Sequence, residues 1–157
     1  MPQYDYSSNG YYFITICVKE KHKLLGKIVG DGAYDVPHTE LSEYGKIAEK
    51  YIISSNNVEN LTIEHYVIMP DHIHMLVYID DIDGTSRAPS PTNSKISHMV
   101  STFKRFCNKE YGENIWQRSF HDHVIRDEAD YVRHYEYITS NPFVSEETEN
   151  GPFDGLI

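Results

Sequence analysis

The sequence predicts an α+β domain in which strands and helices follow the order β-α-β-β-α-β, with one further helix at the end. Three observations carry that reading. Tyr11 to Val18 (YYFITICV) is almost wholly aromatic and β-branched, the composition of a buried strand. Leu61 to Met69 and His72 to Ile79 are two more apolar runs that meet at Pro70-Asp71, a natural turn pair. Three other segments repeat apolar residues at helical spacing.

Taken in order, Tyr11 to Val18 is a strand buried on both faces, Lys19 to Lys23 a turn, and Leu24 to Val29 a short strand or extended arm before a loop, Gly30 to His38. Pro37, an N-cap at Thr39 and Glu40 in the first turn open an amphipathic helix over 40–54, with Leu41, Tyr44, Ile47, Tyr51 and Ile52 as its apolar stripe. Asn56, Asn57 and Asn60 punctuate before the two central strands. From Asp80 to Ser94 the composition turns to Asp, Gly, Ser, Thr and Pro, which predicts a mobile loop too short to separate domains. Ile96, Met99, Val100, Phe103, Phe106 and Cys107 give a second helix over about 95–110, and Ile115 to Ile125 a last strand. Asp127 caps a third helix with Asp130 three residues on, and Tyr131, His134, Tyr135 and Ile138 form its stripe. That helix stops near Asn141, because Pro142 cannot continue it. Residues 1–144 thus form one domain, and 145–157 an acidic, poorly ordered tail. The order is the ferredoxin-like pattern: an antiparallel sheet with helices on one face, plus the C-terminal helix. RNA-recognition modules and many enzymes share it, so it selects no function.

Composition narrows the class. With 39% apolar and 13% aromatic residues the chain has a real core, which excludes disorder throughout. Its longest nearly unbroken apolar stretch, Tyr11 to Val18, falls far short of the roughly 20 residues a bilayer requires. The segment MPQYDYSSNG has neither a basic start nor an apolar run, so no export is expected. Cys17 and Cys107 are distant and form no CxxC pair, which argues against a disulfide framework or a thiolate zinc site and for a reducing cytoplasm. Lys and Arg total 14 against 24 Asp and Glu, a net charge of −10. That balance opposes non-specific coating of nucleic acid but leaves room for a locally basic groove, since acidic residues concentrate at 80–83 and 146–154.

Two groups of residues carry candidate chemistry. In a strand, His72-Ile73-His74 points both imidazoles to one face, where they chelate a divalent metal if a third ligand converges. Such pairs also arise by chance in a chain with 9 histidines, and His121-Asp122-His123 is a second. Tyr137 and Asn141, four apart, stack on one helix face as a nucleophile and an amide ligand, or else as a packing tyrosine and a helix stop.

The segments HYVIMPDHIHMLVYI (65–79), FKRF (103–106), WQRSFHDHVIRD (116–127) and YITSNP (137–142), in this order and separation, resemble the HUH-type single-tyrosine transposases of small bacterial insertion sequences. The likeness is greatest to their REP-associated tyrosine transposase branch. YYFITICVKEKHKLLGKIV (11–29) also resembles the family's opening strand and turn, so the resemblance covers roughly 10–144. It implies cleavage and joining of single-stranded, hairpin-bearing DNA through a covalent intermediate. His72 and His74 match the family's metal-binding pair, Tyr137 its nucleophile, and Asn141 the position of a third, amide-type ligand. The implied cofactor is Mg²⁺ or Mn²⁺. Two imidazoles and an amide oxygen favour Mn²⁺ or even Zn²⁺ on ligand softness, so metal promiscuity is expected in vitro. The family includes dimers in which each tyrosine serves its partner's histidines, which leaves a homodimer open.

The implied chemistry is coherent. A phosphodiester's anionic oxygens repel a nucleophile, and a metal ion offsets that charge. A tyrosine keeps the strand end as a 5′-phosphotyrosine and releases a 3′-OH, so another 3′-OH can rejoin it without ATP. Tyrosine's ordinary pKa of about 10 calls for a nearby positive charge or base. Lys104, Arg105 and Lys109 on the second helix, with Arg118, Arg126 and Arg133 around the third, are either a basic DNA-binding groove or ordinary solvated faces. Trp116 and Phe120 either stack on bases or pack in the core, and Asp71 either orients an imidazole or forms the turn. The loop 80–94 and the tail after Phe143 match nothing in the family. Two other functions fit the same elements: a non-catalytic RNA- or DNA-binding module, and a metal-dependent hydrolase that activates water.

Overall fold

The structure, a computed structural model, describes residues 10–30, 36–57, 60–80 and 91–140. Its main sheet has four strands: β1 (Gly10–Cys17), β4 (Leu61–Met69), β5 (His72–Ile79) and β6 (His121–Val124). They lie in the order β4-β5-β1-β6, every neighbouring pair antiparallel, which is the ferredoxin-like arrangement. A separate two-stranded sheet, β2 (Gly26–Val29) with β3 (His38–Leu41), is inserted between β1 and the first helix. The helices are α1 (Glu43–Ser54), α2 (Pro91–Tyr111) and α3 (Glu128–Ser140). Among the described residues, no helix is long and apolar enough to cross a membrane.

Strand alternation divides the molecule into two unequal layers. Ile14, Ile16 and Val18 from β1 and its end, with Ile73, Met75, Val77 and Ile79 from β5, point to one face. There they meet Ala48 and Ile52 of α1 and Ile96, Met99, Val100, Phe103 and Cys107 of α2. The intervening residues point to the other face, where Phe13, Leu76 and Ile125 pack against Tyr137 and Ile138 of α3. A register shift between Ile63 and His65 makes β4 serve both layers. Before it, Leu61 and Ile63 face the main core; after it the parity flips, so Ile68 faces that core and Val67 faces α3.

Three segments differ from the sequence-based expectation. The first helix begins at Glu43, not 40, and its N-cap is Ser42, whose Oγ accepts from the Gly45 amide at 3.2 Å. Thr39 and Glu40 belong to β3, because His38–Leu41 finds a pairing partner in Gly26–Val29. The last strand covers only His121–Val124, with Trp116 making a single bridge to Val18. Trp116 is drawn into the main core instead, while Gln117 bonds the Cys17 carbonyl through its amide at 2.8 Å and accepts from Lys104 of α2 at 2.8 Å. The second helix reaches back to Pro91, so the end of the expected loop is helical. Asn141, residues 81–90 of that loop and the tail 145–157 lie outside the described residues.

Gly45 shows how tightly the inserted sheet is docked on α1. A Cβ there would stand 2.1 Å from the Leu25 carbonyl oxygen, which already accepts from the Ser42 amide at 2.9 Å. Gly45→Ala must therefore push α1 off the segment before β2. The expected cost is about 1–3 kcal/mol, read as a lower urea midpoint.

Candidate active site

His72 and His74 project from β5 onto the α3 face of the sheet, as their alternate positions dictate. Their rings are 4.7 Å apart. Each is held through Nδ1. His72 Nδ1 lies 2.6 Å from Asp71 Oδ1, and His74 Nδ1 lies 3.0 Å from Thr15 Oγ1 on the neighbouring β1. Asp71 also sits in the turn between β4 and β5, where its carbonyl accepts from the Val18 amide at 2.9 Å and ties the turn to the end of β1, so it fills both roles the sequence offered. With Nδ1 committed, Nε2 is the atom each ring offers outward, the arrangement by which a carboxylate or hydroxyl fixes the orientation of a metal-ligating imidazole.

Burial, followed by the neighbouring His72 and His134, pushes the His74 pKa well below the ordinary histidine value, so the ring is a neutral electron-pair donor. Burial alone would raise the Asp71 pKa, but its hydrogen bond and charge interaction with His72 outweigh that and leave it lowered. His74 therefore presents a neutral nitrogen donor, and Asp71 places a carboxylate behind His72, a donor set that suits a divalent cation.

Tyr137 comes to this pair from α3. Its ring is 5.3 Å from that of His74 and 6.2 Å from Phe13, and the residue is 8% exposed. Helical spacing places it below Asp130 and His134 on the sheet-facing side of α3. Asp127 caps that helix, its Oδ1 accepting from the Asp130 amide at 2.8 Å, as the sequence predicts. One chain thus brings together His72, His74 and Tyr137.

The basic residues do not form one surface. Arg105 and Lys109 lie on α2, which packs on the sheet face away from the imidazole pair. Lys104 donates to the carbonyls of Gln117 at 2.8 Å and Arg118 at 3.4 Å, and burial lowers its pKa. Arg133 is drawn to Asp130 at 3.1 Å. Arg118 and Arg126 are exposed. Trp116, at 1% exposure and 5.4 Å from Phe103, is a core residue, and Phe120 packs against the same core.

The second His-x-His pair lies on the working face too. His121 stands opposite Thr15 and His123 opposite Phe13, and residues directly opposite in an antiparallel pair share a face. His123 is buried with Asp130 and His134, and their potential ligand atoms fall within 4.8 Å of one another. Sequence reading missed this group. The signal was the spacing of Asp130, His134 and Tyr137 on one side of a helix.

A family model described as "Transposase IS200 like" matches residues 6–141. The chain belongs to this family. It is 31% identical over 165 residues to an uncharacterized protein of Haemophilus influenzae, which covers 95% of this chain and 89% of that protein. It is 23% identical over 137 residues to the REP-associated tyrosine transposase of Escherichia coli, covering 87% and 68% of the two. A solved REP-associated tyrosine transposase bound to a REP hairpin has the same fold, with a TM-score of 0.62 at 23% identity over 91% of this chain and 73% of that one. Family membership makes this a transposase-type, DNA-cleaving enzyme, and the resemblance found in its motifs is correct at that level.

Burial, the leading cause, also lowers the His134 pKa. In the unfolded chain both His74 and His134 return to about 6.5. Below that value the unfolded state binds protons the folded state refuses, so stability falls as pH drops from about 6.5 toward the folded values and is fully present above it. Urea unfolding of the metal-free protein at pH 8, 6 and 5 should show this loss, and His134→Phe should make it shallower.

Proposed function

We propose that this enzyme cuts and rejoins single-stranded DNA through a covalent Tyr137 5′-phosphotyrosine, with His72 and His74 holding a divalent cation. The observation that carries the reading is the convergence of three side chains in one chain: the two imidazoles at 4.7 Å and the Tyr137 ring at 5.3 Å from His74. Asn141, four residues beyond Tyr137, is the third ligand in this proposal. Mg²⁺ or Mn²⁺ is the proposed ion. When bound, it offsets phosphate charge and makes phosphorus a better electrophile.

The chain's own residues do the rest. Asp71 and Thr15 fix the two imidazole planes, while α3 presents Tyr137 across the face on which they lie. The Tyr137 oxygen forms a bond to phosphorus as the bond to the 3′-oxygen breaks, and the phenolic proton leaves Tyr137 while the departing 3′-oxygen gains one. A second 3′-OH reverses the step. Because one chain supplies both imidazoles and the tyrosine, a homodimer would not have to exchange tyrosines.

Hairpin-bearing DNA is the proposed substrate, by analogy with the solved relative bound to a REP hairpin. Arg118 and Arg126, exposed on the segments flanking β6, are the proposed phosphate contacts. Residues 1–144 are taken as the catalytic domain. The test is incubation of 5′- and 3′-labelled hairpin oligonucleotides with Mn²⁺, followed by denaturing electrophoresis and peptide mapping. The expected result is a protein-linked label that maps to the peptide carrying Tyr137. Cleavage without any adduct would replace this reading with a hydrolase that activates water.

A further inference from the structure

Five rings form a continuous file beneath α3. His123 of β6, His134 of α3, Phe13 of β1, and His74 and His72 of β5 follow one another with centroids 4.8, 4.6, 5.0 and 4.7 Å apart. Tyr137 leans on the middle of the file, against Phe13 and His74. The far end is anchored by one buried carboxylate. Asp130 Oδ2 accepts from the Arg126 amide and from His123 Nε2, each at 3.0 Å. Its Oδ1 accepts from Arg133 Nη2 at 3.1 Å and lies 3.2 Å from His134 Nδ1. His134 Nδ1 is also 2.8 Å from the Asp130 carbonyl, a group that can only accept, so this nitrogen carries the proton and the ring plane is fixed.

We infer that His134, anchored by Asp130, is a positioning residue for Tyr137. The inference rests on the reading of Tyr137 as nucleophile and deepens it. Apolar packing alone would leave α3 free to shift by fractions of an ångström over the small core it covers. Directional hydrogen bonds, as at Asp130 and His134 Nδ1, restrict the packing to far fewer arrangements. By tying β6 to the first turn of α3 and seating His134 on Phe13, this network sets the rotation of the helix and hence the side on which the phenol meets His74. The same three residue types also suit a metal ion. Against that, both Asp130 oxygens already accept hydrogen bonds, three in all, and His134 Nδ1 beside them carries its proton toward the Asp130 carbonyl, so that nitrogen has no lone pair for a cation.

The test compares wild type with Asp130→Asn and His134→Phe, the second keeping a ring of similar size in case the first fails to fold. Three quantities are measured: the single-turnover rate of adduct formation at saturating hairpin DNA and Mn²⁺, the affinity for that DNA by anisotropy, and the melting temperature. A positioning role predicts a rate about 10- to 100-fold lower in variants that remain folded and bind DNA as tightly as wild type. An unchanged rate in folded His134→Phe overturns the inference. So does a loss of rate explained wholly by unfolding or by weakened DNA binding. Calorimetric titration of the His72→Ala/His74→Ala double variant with Mn²⁺ and Zn²⁺ covers the metal alternative: stoichiometric binding that Asp130→Asn removes would overturn it too. If wild type itself forms no adduct, the phosphotyrosine reading fails first and takes the positioning role with it. An adduct in wild type with indifferent variants removes the positioning role alone.

Discussion

Replacing Tyr137 by Phe is expected to abolish the protein–DNA adduct while the fold and DNA binding persist. Phe retains the ring that packs on Phe13 and His74, so the second core beneath α3 keeps its shape. Only the hydroxyl is lost, and with it the sole atom through which this side chain can bond to phosphorus. Removing a nucleophile takes away the covalent route itself, so the rate should fall on the order of 10⁴-fold or more. The readouts are adduct yield, strand cleavage, DNA affinity and melting temperature, measured together. Cleavage that continues in Tyr137→Phe would point to activated water. DNA binding that survives both this substitution and a chelator, with no cleavage in wild type, would point to a binding module.

Much of this arrangement is legible in the sequence because it depends on local pattern. The alternation in His72–Ile79 alone places both imidazoles on one face, and the strand forms with the expected bounds. The cap at Asp127 and the stripe through His134 and Ile138 fix the helix that carries Tyr137. Long-range pairing is what the sequence hides. Thr39 looks like a helix cap until Gly26–Val29 is known to lie beside it. Ile115 and Trp116 read as strand residues, yet the main core claims both. The bulge between Ile63 and His65 leaves no mark in composition, although it decides which residues of β4 face α3. Thr15 is one of eight residues in an apolar strand, and only its register opposite His74 reveals it as that ring's partner.

Charge misleads for a related reason. A count of Lys and Arg treats each as available to DNA, whereas Lys104 is half-buried on the Gln117 carbonyl and Arg133, though exposed, is paired with Asp130. The net charge of −10 belongs to the whole chain and does not fix the local balance, since Arg118 and Arg126 stand exposed on either side of β6. Since two basic residues are the proposed phosphate contacts, the salt dependence of hairpin binding should be shallow, with a log–log slope on the order of −2. A much steeper slope would mean a basic surface beyond the one assigned here.

Loss of the imidazole pair is the second large effect. His72→Ala or His74→Ala, or a chelator acting on wild type, should lower adduct formation at least about 100-fold, because charge stabilisation by a divalent ion is worth several kcal/mol and each 1.4 kcal/mol is tenfold. The two substitutions differ in what else they disturb. His74 is buried against Phe13 and Tyr137, so its truncation opens a cavity and should also lower the melting temperature. His72 is more exposed, with its Nδ1 on Asp71, so its truncation should leave the fold nearly intact. His72→Ala is therefore the cleaner test of metal binding, and full activity in that variant would end the assignment. Asp71→Ala and Thr15→Val act one step further out. Each keeps both imidazoles but frees an Nδ1, so each should weaken metal affinity by about 10- to 100-fold and be restored by excess Mn²⁺. Rescue by added metal in these two, and none in His72→Ala, is the pattern that separates residues that orient the site from residues that hold the ion.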